Sequence, residues 1–169
     1  MTKQQILKTY FGHDTFRPGQ ESVIDALLSG RDIMAVMPTG AGKSACYQIP
    51  ALMLEGVTLV ISPLISLMKD QVNALNQCGV SCACINTSLT TAEKREIMNL
   101  ALSGKCKILY VAPERLENQK FADFCSKLNI SMVCVDEAHC VSQWGHDFRP
   151  AYLGIKGFIE NLPVRPVVS

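Results

Sequence analysis

This sequence has almost no net charge, few aromatic residues and no long apolar run. The 16 basic and 15 acidic side chains leave a net charge of +1, so the chain lacks the bulk charge of a nucleic-acid binder, and any such site must be local and partly built from stacking. No apolar run reaches the roughly 18 residues of a membrane span, and the polar residues 1–5 are unlike a signal peptide. We therefore expect one 169-residue domain, cytoplasmic or, in a eukaryote, nuclear, with no membrane partner.

Cysteine is abundant, but the spacing of a metal site is missing. None of the 8 cysteines forms a Cys-x-x-Cys pair, and Cys82 and Cys84 have no second ligand pair nearby in sequence. Most of the cysteines lie inside apolar segments. A reduced, buried and structural role is therefore favoured, with metal binding as the alternative.

The stretch from Met34 to Ser44 organises the rest of the chain. An apolar run at residues 33–37 predicts a buried strand, Gly40 and Gly42 permit a tight turn, and a helix is predicted to open at Lys43. Lys43 would reach the outer phosphates of a nucleotide, and Ser44 would hold a magnesium ion. The alternative is a glycine turn that binds nothing.

The strict phosphate-loop pattern would have Gly at position 37, where this chain has Met37. This departure argues against GTPases and small kinases and leaves the looser form Pro-Thr-Gly-x-Gly-Lys-Ser of helicase-type motors. The loop residues expected around the phosphates are Thr39, Gly40, Ala41 and Gly42.

Strands and helices alternate through the remainder of the chain. Strands are predicted at residues 58–61, 81–85, 108–112, 132–135 and 167–168. The predicted helices include one capped by Thr2, one kinked or restarted at Pro50, one capped by Ser62-Pro63, one with a Thr90/Glu93 capping box, one over residues 120–128 and one over residues 150–158. Strands that are apolar on both faces predict an α/β fold in which a parallel sheet carries helices on both faces. Ligands bind such sheets at the carboxyl ends of the strands.

Two carboxylates follow the predicted strand at residues 132–135. Asp136 is expected to orient the magnesium ion, and Glu137 to polarise the water that attacks the terminal phosphate. An acid at the end of an apolar strand is common. The two residues therefore indicate a nucleotide site only in combination with the phosphate loop.

Six segments in this order resemble the first motor lobe of RecQ-type DNA helicases. They are FRPGQ at 16–20, MPTGAGKS at 37–44, SPLISLMKDQ at 62–71, APERL at 112–116, DEAH at 136–139 and SQWGHDFRP at 142–150. The resemblance covers nearly the whole chain. It implies a RecA-like P-loop NTPase domain of superfamily 2 that binds ATP and Mg²⁺ and belongs to an ATP-dependent DNA helicase of the 3′–5′ type.

The resemblance also implies roles for individual residues. Arg17 and Gln20 would recognise adenine, while His13 stands where the family has a stacking aromatic residue. The alternative for Arg17 and Gln20 is capping and solvation of a helix start. Segments 62–71 and 112–116 would lie along a DNA backbone.

Residues 142–152 resemble the aromatic-rich loop with which the family senses single-stranded and partly duplex DNA. The candidate DNA-binding residues are Gln143, Trp144, His146, Phe148 and Arg149, and His139 and Gln143 are candidate couplers to the ATP site. Aromatic faces suit unstacked bases and Arg149 suits phosphate. The alternative places Trp144, the 1 tryptophan, in the core.

In the family, a second lobe with an arginine finger, a zinc module and a winged helix would lie beyond residue 169. We therefore expect the isolated chain to bind nucleotide weakly, to hydrolyse it slowly or not at all, and not to unwind DNA. A small kinase or GTPase would need a lid arginine cluster or an Asn-Lys-x-Asp signature, and neither is found. A binding module that has lost its chemistry is the remaining rival, although the intact Lys43 and Glu137 argue against it.

Overall fold

A five-stranded parallel sheet forms the centre of the molecule. The computed structural model describes residues 1–38, 40–144, 147–162 and 167–168. The strands are β1 (Val57–Ile61), β2 (Cys82–Ile85), β3 (Ile108–Val111), β4 (Ile130–Val135) and β5 (Val167–Val168), in the spatial order β2-β3-β1-β4-β5. The predicted parallel α/β architecture is confirmed, and β1 lies in the middle because both β3 and β4 pair with it.

Seven α-helices are assigned in the described residues. They are α1 (Lys3–Phe11), α2 (Gln20–Leu28), α3 (Lys43–Met53), α4 (Ile65–Gln77), α5 (Thr91–Leu102), α6 (Gln119–Cys125) and α7 (Ile155–Glu160). Short 3₁₀ helices cover Pro113–Arg115, Ala138–Val141 and Pro150–Gly154. None of the described helices is both long and apolar enough to cross a membrane.

Helices cover both faces of the sheet because successive strand residues point to opposite sides. Leu59 and Ile61 of β1 belong to the core that contains Phe121 of α6 and Phe158 of α7. Val60, between them, belongs to the core on the other face, which α2, α3 and α4 cover. The uninterrupted burial of β1 explains why its sequence is apolar without alternation.

The strand predicted at residues 33–37 is wrong. Of this segment, Ile33 alone forms a bridge, with Val168, and its N–H donates to the Val167 carbonyl at 2.9 Å. A strand requires backbone pairing along its length, and this is the one bridge of the segment found among the described residues. Met34 and Val36 are therefore 78% and 92% exposed.

Helix boundaries follow local signals in some places and not in others. The caps at Thr2 and Thr90 are confirmed, each with its capping box. The predicted Ser62 cap is wrong, since α4 begins at Ile65 and Ser62 instead donates a hydrogen bond to Asp136. Helix α3 runs on through Pro50 rather than restarting there. The helix predicted over 150–158 is α-helical only from Ile155, after a 3₁₀ segment.

Most of the cysteines lie in the core, as expected. Cys46, Cys82, Cys106, Cys125, Cys134 and Cys140 are buried, whereas Cys78 is exposed and Cys84 is half-buried. Burial raises the pKa of the Cys46 and Cys106 thiols to about 11, so these groups stay protonated and inert at neutral pH.

Candidate active site

The candidate catalytic residues meet at the carboxyl edge of the sheet. Helix α3 begins at Lys43, and Asp136 follows the last residue of β4, with its N–H donating to the Ile61 carbonyl at 2.9 Å. A cavity of about 410 Å³ is lined by Lys43, Asp136, Glu137 and His139. Residues almost 100 positions apart in sequence are thus brought together where a parallel sheet binds its ligands.

The phosphate loop has the backbone shape that its glycines predict. Gly40 and Gly42 adopt positive φ angles of 79° and 76°. Gly42 is the N-cap of α3 and has no side chain with which to cap it, so the N–H groups and the dipole of the first turn remain available to an anion. A cationic Lys43 and a hydroxyl at Ser44 complete a donor set that fits a polyphosphate. Thr39 lies outside the described residues.

The two candidate adenine-binding residues hold the phosphate loop in this structure. The Arg17 guanidinium donates to the Gly40 carbonyl, and the Gln20 amide nitrogen donates to the carbonyls of Ala41 at 3.2 Å and Gly42 at 3.0 Å. The Gln20 side-chain oxygen accepts from the Arg17 N–H at 2.9 Å. Most of the hydrogen-bonding capacity of Gln20 is therefore already used.

These contacts test the alternative in which Arg17 and Gln20 merely cap and solvate a helix start. Gln20 is only 4% exposed, so the interpretation of a solvated helix start is wrong for it. A Cβ at position 42 would lie 2.6 Å from the Gln20 amide nitrogen, which is a second reason for glycine there. Adenine recognition by Arg17 and Gln20 stays a prediction, and His13 is exposed.

Three groups hold Asp136 from different parts of the chain. Its carboxylate accepts from the Ser62 hydroxyl at 3.1 Å and from the Glu137 N–H at 3.0 Å. Its backbone carbonyl accepts from the Tyr152 hydroxyl at 2.8 Å. Burial raises the pKa of Asp136, and the neighbouring charge of Glu137 raises it further, while the Ser62 hydrogen bond and Lys43 act in the opposite direction.

Glu137 has an unusual backbone. With φ 52° and ψ 43° it lies in the left-handed region, and no other non-glycine residue of the described chain has a positive φ. Such conformations persist where the surrounding structure imposes them, and they cluster at functional sites. Here the carbonyl and the N–H of the Asp136–Glu137 peptide, which precedes this residue, are both held by hydrogen bonds.

His139 connects this turn to the following loop. Its Nδ1 lies 3.2 Å from a Glu137 carboxylate oxygen, and its Nε2 lies 3.7 Å from a carboxylate oxygen of Asp147. The imidazole is thus placed between the candidate catalytic carboxylate and a loop residue. This position agrees with the predicted coupling role, which stays a prediction.

Ser44 and Asp136 line a second, smaller cavity of about 100 Å³. A serine hydroxyl and a carboxylate are oxygen ligands of the kind that a hard divalent cation prefers. Lys43 and Glu137 line the same space. The residues present therefore fit a magnesium ion bound beside a phosphate group.

The aromatic-rich loop is largely exposed. Trp144 is 98% exposed, so the alternative that places it in the core is wrong. Gln143 is also exposed, whereas Phe148 and Arg149 are half-buried, and His146 lies outside the described residues. The Arg149 N–H donates to the Cys140 carbonyl at 3.0 Å, which fixes the end of the loop against the turn after β4.

Sequence reasoning missed two residues that support the carboxylates. Ser62 follows the carboxyl end of β1, which pairs with β4, so strand order was the signal that could have placed it beside Asp136. Tyr152 carries no such signal, because a lone tyrosine in a predicted helix more often packs than donates to a distant carbonyl.

Comparison with known proteins identifies a helicase family and its relatives. The family model described as DEAD/DEAH box helicase matches residues 17–167. The chain is 48% identical over 168 residues to "ATP-dependent DNA helicase RecQ" of Haemophilus influenzae, covering 99% of this chain and 27% of that protein. It is also 42% identical to "Probable ATP-dependent DNA helicase RecS" of Bacillus subtilis, covering 100% of this chain and 34% of the relative. The chain thus spans about a quarter to a third of the length of these relatives.

Solved structures agree on the fold. A hypothetical ATP-dependent RNA helicase from Sulfolobus tokodaii superposes with a TM-score of 0.68 at 20% identity, covering 99% of this chain and 50% of that one. The helicase MrfA bound to DNA and AMPPNP gives a TM-score of 0.67 at 20% identity, covering 82% of this chain and 21% of that one. At this identity the likeness concerns the fold alone.

Proposed function

The chain belongs to the DEAD/DEAH box helicase family, and from that premise we propose that it is the ATP-binding motor lobe of a RecQ-like DNA helicase. One observation carries the proposal. Lys43 and Ser44, at the open N-terminus of α3, line one cavity together with Asp136 and Glu137 at the end of β4. The names of the relatives support ATP as the nucleotide and DNA as the partner.

The residues divide the work of phosphoryl transfer between them. Lys43 and the N–H groups of the α3 terminus bind the outer phosphates. Ser44 and Asp136 would hold a magnesium ion, which would neutralise charge on the phosphates. Glu137 orients the attacking water and accepts its proton while the water oxygen bonds to the terminal phosphorus and the bond from that phosphorus to the leaving ADP oxygen breaks. Ser62 and Tyr152 keep Asp136 and the adjoining peptide in place for this chemistry.

DNA binding belongs to the exposed loop beside this site. Trp144 offers an open aromatic face, and Arg149 a cation, to a single strand or to the junction of a partly duplex DNA. His139 lies between Glu137 and Asp147 and provides a short route from the loop to the reacting water. Polarity of the 3′–5′ type rests on the RecQ resemblance alone.

Efficient hydrolysis and unwinding require more than this lobe. The chain spans 27% of the Haemophilus influenzae relative, and an arginine finger from a second lobe is worth roughly 10³–10⁵ in rate. We therefore propose that a second lobe completes the ATP site in the whole protein. This lobe alone binds ATP with Mg²⁺ and turns it over slowly or not at all.

The test is ATP binding and hydrolysis by this chain with Mg²⁺, with and without single-stranded DNA. Glu137→Gln should keep ATP binding and lose whatever turnover the wild type has, because it removes the proton acceptor. Glu96→Gln, an exposed acid of α5 outside every segment assigned a role, is the matched control and should change neither. Failure of the wild-type chain to bind ATP would refute the proposal. Strand separation by the chain alone would refute the need for a second lobe.

A further inference from the structure

The smaller of the two cavities is lined in part by residues without a role in the proposed chemistry. We call it the inner cavity, about 100 Å³ in volume, and it lies between the start of α3, α4 and the carboxyl ends of β1, β3 and β4. Ser44 and Asp136 line it on the metal side. Polar groups of Ser62, Gln71 and the tyrosine pair Tyr47 and Tyr110 line it elsewhere. The nucleotide-binding, metal-binding and catalytic roles assigned above do not use Gln71 or either tyrosine.

The tyrosine pair has one hydroxyl proton more than its protein partners accept. The two hydroxyl oxygens lie 3.3 Å apart, so one proton is shared between them. The Gln48 amide nitrogen donates to Tyr110 at 3.1 Å and to the Gln71 side-chain oxygen at 2.7 Å. The second hydroxyl proton therefore has no acceptor among the described residues.

Burial makes this unused donor significant. Tyr47 and Tyr110 are 7% and 1% exposed. Burial raises the pKa of both phenols, so both keep their protons at neutral pH. A buried donor without a partner costs about 1–3 kcal/mol. Water in the inner cavity is the acceptor that geometry allows, and the volume exceeds the ~10–15 Å³ that one water needs.

The metal site supplies the reason for water at this position. Magnesium keeps several water ligands and takes only one or two protein carboxylates. A metal-bound water donates both of its protons, so it needs acceptors around it. The Gln71 side-chain oxygen has a second lone pair beside the one that Gln48 uses, and the Ser62 hydroxyl lies next to Asp136.

We propose that the inner cavity is an ordered-water site that joins the tyrosine pair and Gln71 to the hydration shell of the metal ion held by Ser44 and Asp136. Gln71, Tyr47 and Tyr110 are then positioning residues for that ion. The proposal rests on the proposed function, because it requires a metal-bound nucleotide in this lobe. Loss of such an outer partner lowers metal affinity by roughly 10–100-fold.

The experiment measures Mn²⁺ affinity by the electron paramagnetic resonance signal of free Mn²⁺, with a saturating non-hydrolysable ATP analogue. Gln71→Leu should weaken Mn²⁺ binding about 10-fold or more, while analogue affinity in EDTA stays unchanged. Gln71→Glu keeps the oxygen that faces Gln48 and should restore the affinity. Gln77→Leu, an exposed residue at the end of the same helix, is the control and should match the wild type.

A second variant tests the same site without altering Gln71. Tyr47→Phe combined with Tyr110→Phe removes both hydroxyls and should also weaken Mn²⁺ binding, whereas the control Tyr10→Phe in α1 should not. Wild-type Mn²⁺ affinity in both Gln71→Leu and the double variant would overturn the proposal. A loss in Gln71→Leu that Gln71→Glu does not restore would overturn it as well, because the effect would then be one of packing. Absence of analogue binding by the wild type would instead refute the proposed function.

Discussion

The turn after β4 and the loop that follows it differ in how firmly the protein holds them. Asp136 receives hydrogen bonds from Ser62 and Glu137 on its carboxylate and from Tyr152 on its carbonyl. Seven residues further on, Gln143 is exposed and Trp144 is 98% exposed, and no side-chain hydrogen bond from either is found among the described residues. Groups proposed for chemistry are thus fixed in advance, whereas groups proposed for DNA stay open to a partner.

The two regions are nevertheless connected. Tyr152 and the Arg149 backbone anchor the far end of the loop to the turn, and His139 lies between the two. Rigid support lowers the reorganisation needed during the reaction, while exposure leaves aromatic surface available for stacking. Substitutions in the two regions should therefore have separable effects on function and on stability.

The largest effect is expected on ATP affinity, at the firmly held nucleotide site. Lys43→Ala removes a cation that binds phosphate through charge-assisted hydrogen bonds worth about 1.5–3 kcal/mol, so ATP affinity should fall roughly 10–150-fold. Titration with a fluorescent ATP analogue measures this change. Lys120→Ala, an exposed lysine of α6, is the control. Equal affinities for the two variants would contradict the role of Lys43.

The next largest effect is expected on DNA affinity, in the exposed loop. Trp144→Ala removes a stacking surface worth about 1–3 kcal/mol per base, so affinity for single-stranded DNA should fall roughly 5–150-fold. The melting temperature should not change, because the side chain is 98% exposed. Fluorescence anisotropy and a thermal melt measure the two effects. Leu153→Ala, 52% exposed and outside the loop, should leave DNA affinity intact. A drop in melting temperature with Trp144→Ala would show that the loop is packed after all.

A smaller effect is expected at the connection between the regions. Tyr152→Phe deletes only the hydroxyl that donates to the Asp136 carbonyl at 2.8 Å. The free energy of unfolding should fall by about 1 kcal/mol, measured by denaturant titration. Tyr10→Phe, in a half-buried side chain of α1, serves as the comparison. Unchanged stability of Tyr152→Phe would mean that this hydrogen bond does not hold the turn.

The smallest effect concerns the charge of Asp136. Its pKa is raised by burial, so the folded state binds this proton more tightly than the unfolded state, and stability declines as the pH rises from the unfolded pKa through the raised folded one. At pH 7.5 the ionised carboxylate is therefore destabilising. Asp136→Asn should melt at a slightly higher temperature than the wild type at pH 7.5, and this advantage should disappear at about pH 4.

The control for this last prediction is Asp70→Asn, which alters an exposed acid on α4. It should show no such pH-dependent gain. A lower melting temperature for Asp136→Asn at pH 7.5 would mean that the hydrogen bonds from Ser62 and Glu137 outweigh burial of the charge.

Local signals predicted much of this molecule. The five-strand alternation, the cap at Thr2, the capping box at Thr90 and Glu93 and the glycine turn before Lys43 are all visible in short windows of sequence. The strand predicted at 33–37 failed because strand formation needs a neighbour, which periodicity does not reveal. The role of Ser62 was misread for a similar reason, since a serine before a helix satisfies a capping pattern whether or not a carboxylate from another strand lies closer.

By itself, the sequence determined most of the element types, the phosphate loop and the identity of the carboxylates, because periodicity, caps and motifs depend on residues a few positions apart. Tertiary structure alone decided which distant groups meet. The order β3-β1-β4 places Ser62 against Asp136, 74 positions away, and the return of the chain after the loop places Tyr152 under the same residue. Packing of Gln20 beneath the phosphate loop is decided in the same way. Such contacts arise from how the layers pack, and no local pattern encodes that packing.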